Sequence, residues 1–389
     1  MRIGVDATCW ANQRGYGRFA RELMRALIDL APEHHFVCLG DRAALDAFPV
    51  TAPNVELVEV GLSESPTVAA ASDGARSLGD MLACTRAVRA AKVRVFFSPS
   101  VYTYFPLFPG QRAVVTIHDA IAERFPHLTL PTRRARLFWK LKVGLAVRQA
   151  RLVLTVSDYA ARDIERVIGI PRQRLRVAGE APAPEYRPGS DAEVATARAA
   201  QGVADAPYFV YVGGFNPHKR VDSVIRAHAA VVRAGEHRPH LLLVGRLSGD
   251  VFHGEGARLR ELVEAEGTSE LVHWTGFVPD ETLRLLHTGA TAVVLTSESE
   301  GFGLPAVEGA ACGAPVIATR ESPLPELLSG GGLFVAPGQV DEIASAMRVL
   351  LGSPERRRSL GEAARRAANA MSWRSAASAT LATLLEAAA

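Results

Sequence analysis

No run of about 18 apolar residues occurs in this sequence, so a helix that crosses a lipid bilayer is not expected. Cysteine is scarce. Cys9, Cys38, Cys84 and Cys312 are the whole complement, and none forms a C-x-x-C pair. That argues against a thiolate zinc site and a disulfide framework, and favours reduced thiols in the cytoplasm. The opening "MRIGVDATCW" lacks the basic start, apolar block and small-residue cleavage site of a signal peptide, and reads directly into a strand. An excess of one charge is missing too: 44 Lys and Arg stand against 41 Asp and Glu, which disfavours nucleic acid as the main partner. The dinucleotide fingerprint G-x-G-x-x-G is absent, and the loop after the first strand is too long for it.

What is present is alternation. A length of 389 residues exceeds one typical core, so two domains of under about 200 residues each are expected. In the first half, "MRIGVDA", "HHFVCLG", "VELVEV", "VRVFFSPS" and "AVVTIHD" read as short strands. Phe19, Leu23, Leu27 and Leu30 recur at helical spacing, and Ser157 is placed to cap the helix after "RLVLTV". Residues 63–77, polar and small, predict a mobile loop. The Pro-, Ala- and Gly-rich segment 177–207 predicts an interdomain linker at its start. A second series of strands and helices begins at "YFVYVGG" and runs to "PERRRSLGEAARRAANA". Such alternation predicts an α/β fold of two Rossmann-like, doubly wound parallel-sheet domains facing a central cleft. Ligands in such folds bind beyond the carboxyl ends of the strands.

One stretch carries chemistry: "TAVVLTSESEGFGLPAVEGAACGAPVIAT", residues 291–319. "TAVVLT" is a buried parallel strand by composition. Pro305 suits the first turn of a helix and Gly313 its stop. Gly301 and Gly303 let backbone approach a ligand, and the helix start that follows carries partial positive charge. Glu300 on the loop and Glu308 in the first turns of the helix can then face one ligand from its two ends. A carboxylate accepts two hydroxyl donors, and sugar and ribose rings present such pairs. The plainer alternative is that Glu300 caps a turn and Glu308 favours the helix dipole.

This stretch resembles the E-x7-E signature of the family 4 glycosyltransferases, intact here as "EGFGLPAVE". The resemblance extends over nearly the whole chain and implies a retaining enzyme of GT-B fold. It implies an acceptor-binding domain at 1–185, a nucleotide-sugar donor domain at 205–370, and a closing segment 371–389, with Trp373, that crosses back to the first domain. It gives Glu300 and the turn Gly301, Phe302, Gly303 and Leu304 to the donor sugar, and Glu308 to the ribose. "YVGGFNPHKRVDSVI" resembles the family's phosphate-binding turn, with Lys219 at its lysine. The chain departs from the family at Gly214, where many members carry arginine; His218, Arg220 and Arg18 are the candidates to replace it. Gly15 and Gly17 match a Gly-rich loop that faces the donor phosphates, His118 a histidine beside the sugar, and Phe277 and Val278 the backbone that reads the base.

The catalytic candidates are therefore Glu300, His118 and Lys219, with Asp119 as a candidate acceptor contact or simply an orienting group for His118. Each has a structural alternative: a loop glycine, a buried histidine, a solvated lysine, core packing. Tyr102, Tyr104 and Phe105 are candidates to line an acceptor site or simply to anchor a loop. The run Arg133, Arg134, Arg136, Lys140 and Lys142 with Trp139 suits either a solvated helix face or peripheral contact with the inner membrane surface. The implied reaction moves a hexose, as from GDP-mannose or a UDP-hexose, to a hydroxyl of a glycan or glycolipid. No D-x-D motif occurs, in keeping with a reaction that needs no metal or other cofactor. A sugar-nucleotide epimerase or hydrolase and a non-catalytic sugar-nucleotide-binding protein share the architecture. The linkage formed and the oligomeric state are open.

Overall fold

Short apolar runs followed by amphipathic helices build two parallel sheets in the computed structural model, which describes residues 1–13, 15–63, 77–204, 206–246 and 254–389. The expected loop at 63–77 falls almost wholly on 64–76 and so lies outside the described residues. The chain divides into two compact units, Met1–Glu180 with Ser372–Ala389, and Ala181–Met371.

Among the described residues, the first unit carries β1 (Arg2–Asp6), β2 (His35–Gly40), β3 (Val55–Glu59), β4 (Val95–Ser98), β5 (Ala113–Thr116), β6 (Leu152–Thr155) and β7 (Leu175–Val177). Their order in the sheet is β3-β2-β1-β4-β5-β6-β7, and every pairing is parallel. β4, β5 and β6 are buried at every residue. That is why they read as unbroken apolar runs rather than as alternations. The helix Gly15–Leu30 buries Phe19, Leu23 and Leu27 as the spacing predicts, whereas Leu30 at its end stays half-buried. The final helix Trp373–Ala388 also belongs to this unit, and the Phe19 and Trp373 rings approach to 6.1 Å. Its last carbonyls meet cations: Arg94 and Arg112 donate to Ala388 O at 3.1 and 2.5 Å, and Arg176 pairs with Glu386. Basic groups at a helix carboxyl end satisfy orphan carbonyls and suit the dipole. Ser157 caps Asp158–Ile168 as expected, accepting from the Ala160 amide. All four cysteines are buried and none is in a disulfide.

The second unit carries β8 (Tyr208–Val212), β9 (His240–Val244), β10 (Val272–Gly276), β11 (Ala292–Leu295), β12 (Val316–Thr319) and β13 (Gly332–Val335), ordered β10-β9-β8-β11-β12-β13 and all parallel. The chain passes from the first unit to the second at Glu180/Ala181, at the start of the segment 177–207 where the linker was expected, and the rest of that segment is mostly ordered. The helix Asp191–Ala200 forms within it, and Ser190 and Glu193 close a reciprocal capping box. The S-x-x-E signal was present in the sequence; the small, Ala-rich composition around it hid the helix. In both sheets the order reverses between strands that are distant in sequence, at β1/β4 and at β8/β11. Loops at such reversals diverge and leave a crevice at the carboxyl edge. Among the described residues no helix is long and apolar enough to cross a membrane.

The second unit also holds a titrating element. His228 on the helix Val221–Arg233 is fully buried, and its Nε2 donates to Pro239 O at 2.8 Å. Burial drives its pKa down to about 4, with His240 and His273 adding repulsion. The folded chain then binds fewer protons than the unfolded chain between pH 6.5 and 4. Stability is therefore full above that window and falls as pH drops through it, by about 3 kcal/mol for one such site. Urea unfolding at pH 7 and pH 4.5 is expected to show this loss, and His228→Gln is expected to reduce the difference. An unchanged difference in the variant would remove His228 as a cause.

Candidate active site

The crevice of the second unit is built from the loops after β8 and β11. After β8 the chain makes a short helical turn, Pro217–Lys219, and Arg220 follows with φ +52°. After β11 it runs through Thr296–Gly303 into the helix Leu304–Ala311. The two loops are laced together. The Glu298 amide donates to His218 O at 2.8 Å, and Arg220 pairs with the Glu298 carboxylate. Lys219 Nζ lies 2.8 Å from Glu300 Oε1, which also accepts from Ser297 Oγ at 2.5 Å. The Glu300 amide donates in turn to Glu321 O, on the loop after β12.

The same sequence that sets the charges sets the turn. Gly303 caps the helix with φ +89°, and Pro305 fills its first turn, where no amide donor is needed. A Cβ at Gly303 would stand 2.8 Å from Leu324 Cδ1 on the buried side. Gly313, at φ +91°, ends the helix, as expected. Glu300 and Glu308 are both buried, at 8% and 4% exposure. Acidic side chains are rarely that buried without partners, and Glu300 has two. The arrangement can therefore present fixed carboxylates, one lysine and a helix start to a polyhydroxylated anion.

Sequence reasoning missed Ser297 and Glu298. Both were visible in "SESE", but the partner of Glu298, Arg220, lies 78 residues away, and nothing in the sequence turns the Ser297 hydroxyl onto Glu300. The candidates for a second positive charge fare unequally. Burial, reinforced by Lys219, pushes the His218 pKa well down, so its imidazole is neutral at pH 7 and supplies no charge. Arg220 is charged but already paired with Glu298. Arg18 belongs to the first unit, on Gly15–Leu30. Of the residues expected at the base, Val278 is buried while Phe277 is exposed, with the Arg246 guanidinium 5.5 Å above its ring.

In the first unit the candidates gather at the carboxyl edge of the sheet. His118 follows β5, its ring edge-on to Phe19 at 4.8 Å, and both ring nitrogens are shielded from solvent without a hydrogen-bond partner. Burial lowers its pKa to about 4, so it is neutral at pH 7. Asp119 does not orient it by a hydrogen bond, contrary to expectation; its Oδ1 instead accepts from the Ile121 amide at 2.9 Å. Gly15 has open space beside it, but Gly17 has a tight packing reason: a Cβ there would meet Asn12 O at 2.0 Å. Tyr102 stacks on Tyr16 at 5.2 Å and meets Trp139 in a tilted pair at 5.1 Å. Of the two readings of Tyr104 and Phe105, acceptor lining and loop anchoring, their burial favours the second. Both are core side chains, 3% and 2% exposed, and the Tyr104 hydroxyl donates to Gln149 at 2.8 Å. Among the described residues no group of three or more His, Cys, Asp or Glu side chains is placed to hold a metal ion.

Two family models match. Residues 14–179 match the model described as Glycosyltransferase Family 4, and residues 194–367 the model described as Glycosyl transferases group 1. The O-antigen chain mannosyltransferase B of Escherichia coli is 31% identical over 67% of the chain, and the match spans 65% of that protein, less than two thirds of its length. Sucrose-phosphate synthase from Thermosynechococcus elongatus superposes with a TM-score of 0.77 at 20% identity, over 100% of this chain and 99% of that one. Anabaena Alr3699/HepE in complex with UDP and glucose superposes with a TM-score of 0.72 at 20% identity, over 99% of each. At these identities the structural likeness shows the fold.

Proposed function

Because the chain belongs to the family 4 glycosyltransferases, with their GT-B fold, we propose that it transfers a hexose from a nucleotide sugar to a hydroxyl acceptor, with retention at the anomeric carbon. The observation that carries this is the coupled loop pair of the second unit, where Lys219 and Glu300 meet at 2.8 Å beside the Gly303 helix cap. The leaving group is a nucleoside diphosphate. Its growing negative charge needs fixed positive potential, usually the largest contribution to such a reaction.

Lys219 supplies the charge at one oxygen of the diphosphate, and the helix start at Gly303–Leu304 supplies partial charge. Glu300 has one oxygen committed to Lys219 and Ser297. Its other oxygen takes sugar hydroxyls, and Glu308 takes the ribose hydroxyls. Phosphate arriving at Lys219 competes with Glu300 for the ammonium, so donor binding loosens a pair that holds the empty site in shape. The developing charge at the leaving phosphate draws the acceptor proton on the same face of the sugar, which gives retention without a covalent carboxylate. No metal is needed on this reading. Neutral His118 offers a hydrogen bond to a sugar hydroxyl, a partner its nitrogens otherwise lack. Gly15 and Gly17 offer amides to the diphosphate, Arg220 a further positive group, and Phe277 and Val278 a wall for the base.

The E. coli relative's name supports mannose, from GDP-mannose, as the sugar to try first; the UDP and glucose bound to the Anabaena protein support UDP-hexoses second. The acceptor is a glycan or a lipid-linked glycan, and the chain works in the cytoplasm. The test is acceptor-dependent release of nucleoside diphosphate from a panel of GDP-, UDP-, ADP- and TDP-sugars with EDTA present, followed by proton NMR of the product anomer. Acceptor-dependent release with a retained anomer is expected. Release that ignores acceptors, or binding without release, would move the chain to the hydrolase or binding-protein class.

A further inference from the structure

The helix Arg133–Gln149 in the first unit has an outer face that the proposed reaction does not use. Its sequence, "RRARLFWKLKVGLAVRQ", holds six basic residues and no acidic one. The acid-free stretch is longer still, from Arg124 to Ser157. Three large apolar side chains stand out from the helix: Leu137, Phe138 and Leu141 are 59%, 58% and 60% exposed. These are among the few large apolar side chains exposed anywhere in the described chain. Arg133, Arg134, Arg136 and Lys140 are exposed beside them, and the Arg134 guanidinium lies 5.4 Å over the Phe138 ring.

The inner face is fastened to the carboxyl edge of the sheet. Trp139 Nε1 donates to Glu123 at 2.7 Å, on the segment after β5. Lys142 Nζ donates to Tyr102 O at 3.1 Å, on the segment after β4. Val143 and Ala146 are buried beneath. The helix is thus held firmly from inside while it leaves an apolar strip framed by positive charge outside.

We propose that this outer face docks on an anionic lipid bilayer, with Leu137, Phe138 and Leu141 entering the interface and Arg133, Arg134, Arg136 and Lys140 meeting the headgroups. Charge complementarity selects that occupant. A strip for a second copy of the same chain would set like charges against each other, whereas a bilayer rich in acidic lipids neutralises all of them. A face of this kind, apolar at its centre and basic at its rim, is what an interfacial helix needs. Docking brings the carboxyl edge of the first sheet, held through Glu123 and Tyr102, to the membrane surface. That placement suits an acceptor whose lipid end stays in the bilayer.

The test is co-sedimentation of the full-length protein with vesicles of phosphatidylcholine alone and with about one third phosphatidylglycerol. Binding is expected to the mixed vesicles only, and to weaken in high salt. Leu137→Ser with Phe138→Ser and Leu141→Ser is expected to lower the partition coefficient about tenfold or more, as is Arg133→Glu with Arg134→Glu. All five positions are exposed, and an unchanged melting temperature confirms that the variants fold. Four results would overturn the proposal: no binding to anionic vesicles, equal binding to neutral ones, binding that either variant leaves intact, or a wild-type dimer that the apolar variant splits without loss of lipid binding. None of these readouts depends on glycosyl transfer, so the docking face and the proposed reaction stand or fall separately.

Discussion

Lys219→Ala is expected to lower kcat/KM for glycosyl transfer by about a hundred- to a thousandfold, the range found when one preorganised charge-stabilising donor is removed. Two losses combine. On the proposed reaction the diphosphate loses the cation assigned to it, and Glu300 loses the partner 2.8 Å away that holds its carboxylate in place. Among the described residues only Ser297 Oγ then bonds to that oxygen. The effect on folding should be much smaller than on rate. The pair is partly exposed, with side-chain exposures of 21% and 11%, and an ion pair that water reaches is worth little. Lys219→Arg keeps the charge but replaces a compact ammonium with a planar fork, and should recover only part of the rate. A double-mutant cycle with Glu300→Gln separates the two losses. If the residues act as one unit, the double variant is little slower than either single one. Additive losses would mean that Lys219 and Glu300 serve independent parts of the donor.

Gly303→Val is expected to destabilise the second unit by about 3 kcal/mol and to slow transfer about a hundredfold beyond that. The backbone at Gly303 sits at φ +89°, where a β-branched residue is strained. The added side chain would also press on Leu324, which is fully buried and has nowhere to move. The chain relieves both by shifting the start of the helix Leu304–Ala311, which the proposed reaction sets against the donor. Gly303→Ala carries the same strain with less bulk and should fall between. Denaturant midpoints and donor kinetics on the same samples check both effects. A Gly303→Val protein that unfolds like the wild type would show that the turn is not the constrained element described above.

The fold was largely legible because its signals are local and repeated. Strands such as "AVVT" and "LVLT" are buried on both faces, so composition alone marks them. The turn at Gly301–Pro305 announced itself through a glycine where the backbone is left-handed, at Gly303, and a proline suited to a first helical turn. What stayed hidden depends on partners far along the chain. Ser190 and Glu193 form a clear capping box, but the run of alanines and prolines around them hid the helix that they start. Tyr104 and Phe105 look like ligand-stacking aromatics in a loop, yet Gln149, on a later helix, draws Tyr104 into the core. Arg220 looked free to meet a phosphate until Glu298 appeared opposite it. His218 looked like a spare charge, and only its burial shows that it is neutral. In each case the residue type was read correctly and its environment was not.

The most direct test of the acidic pair is a crystal structure of the protein soaked with its nucleotide-sugar donor. The expected density places the ribose hydroxyls on Glu308, the hexose hydroxyls on Glu300 and the diphosphate on Lys219, with the Lys219–Glu300 contact lengthened from 2.8 Å. A donor bound with full occupancy elsewhere, leaving Glu300 and Glu308 without a ligand contact, would contradict the account.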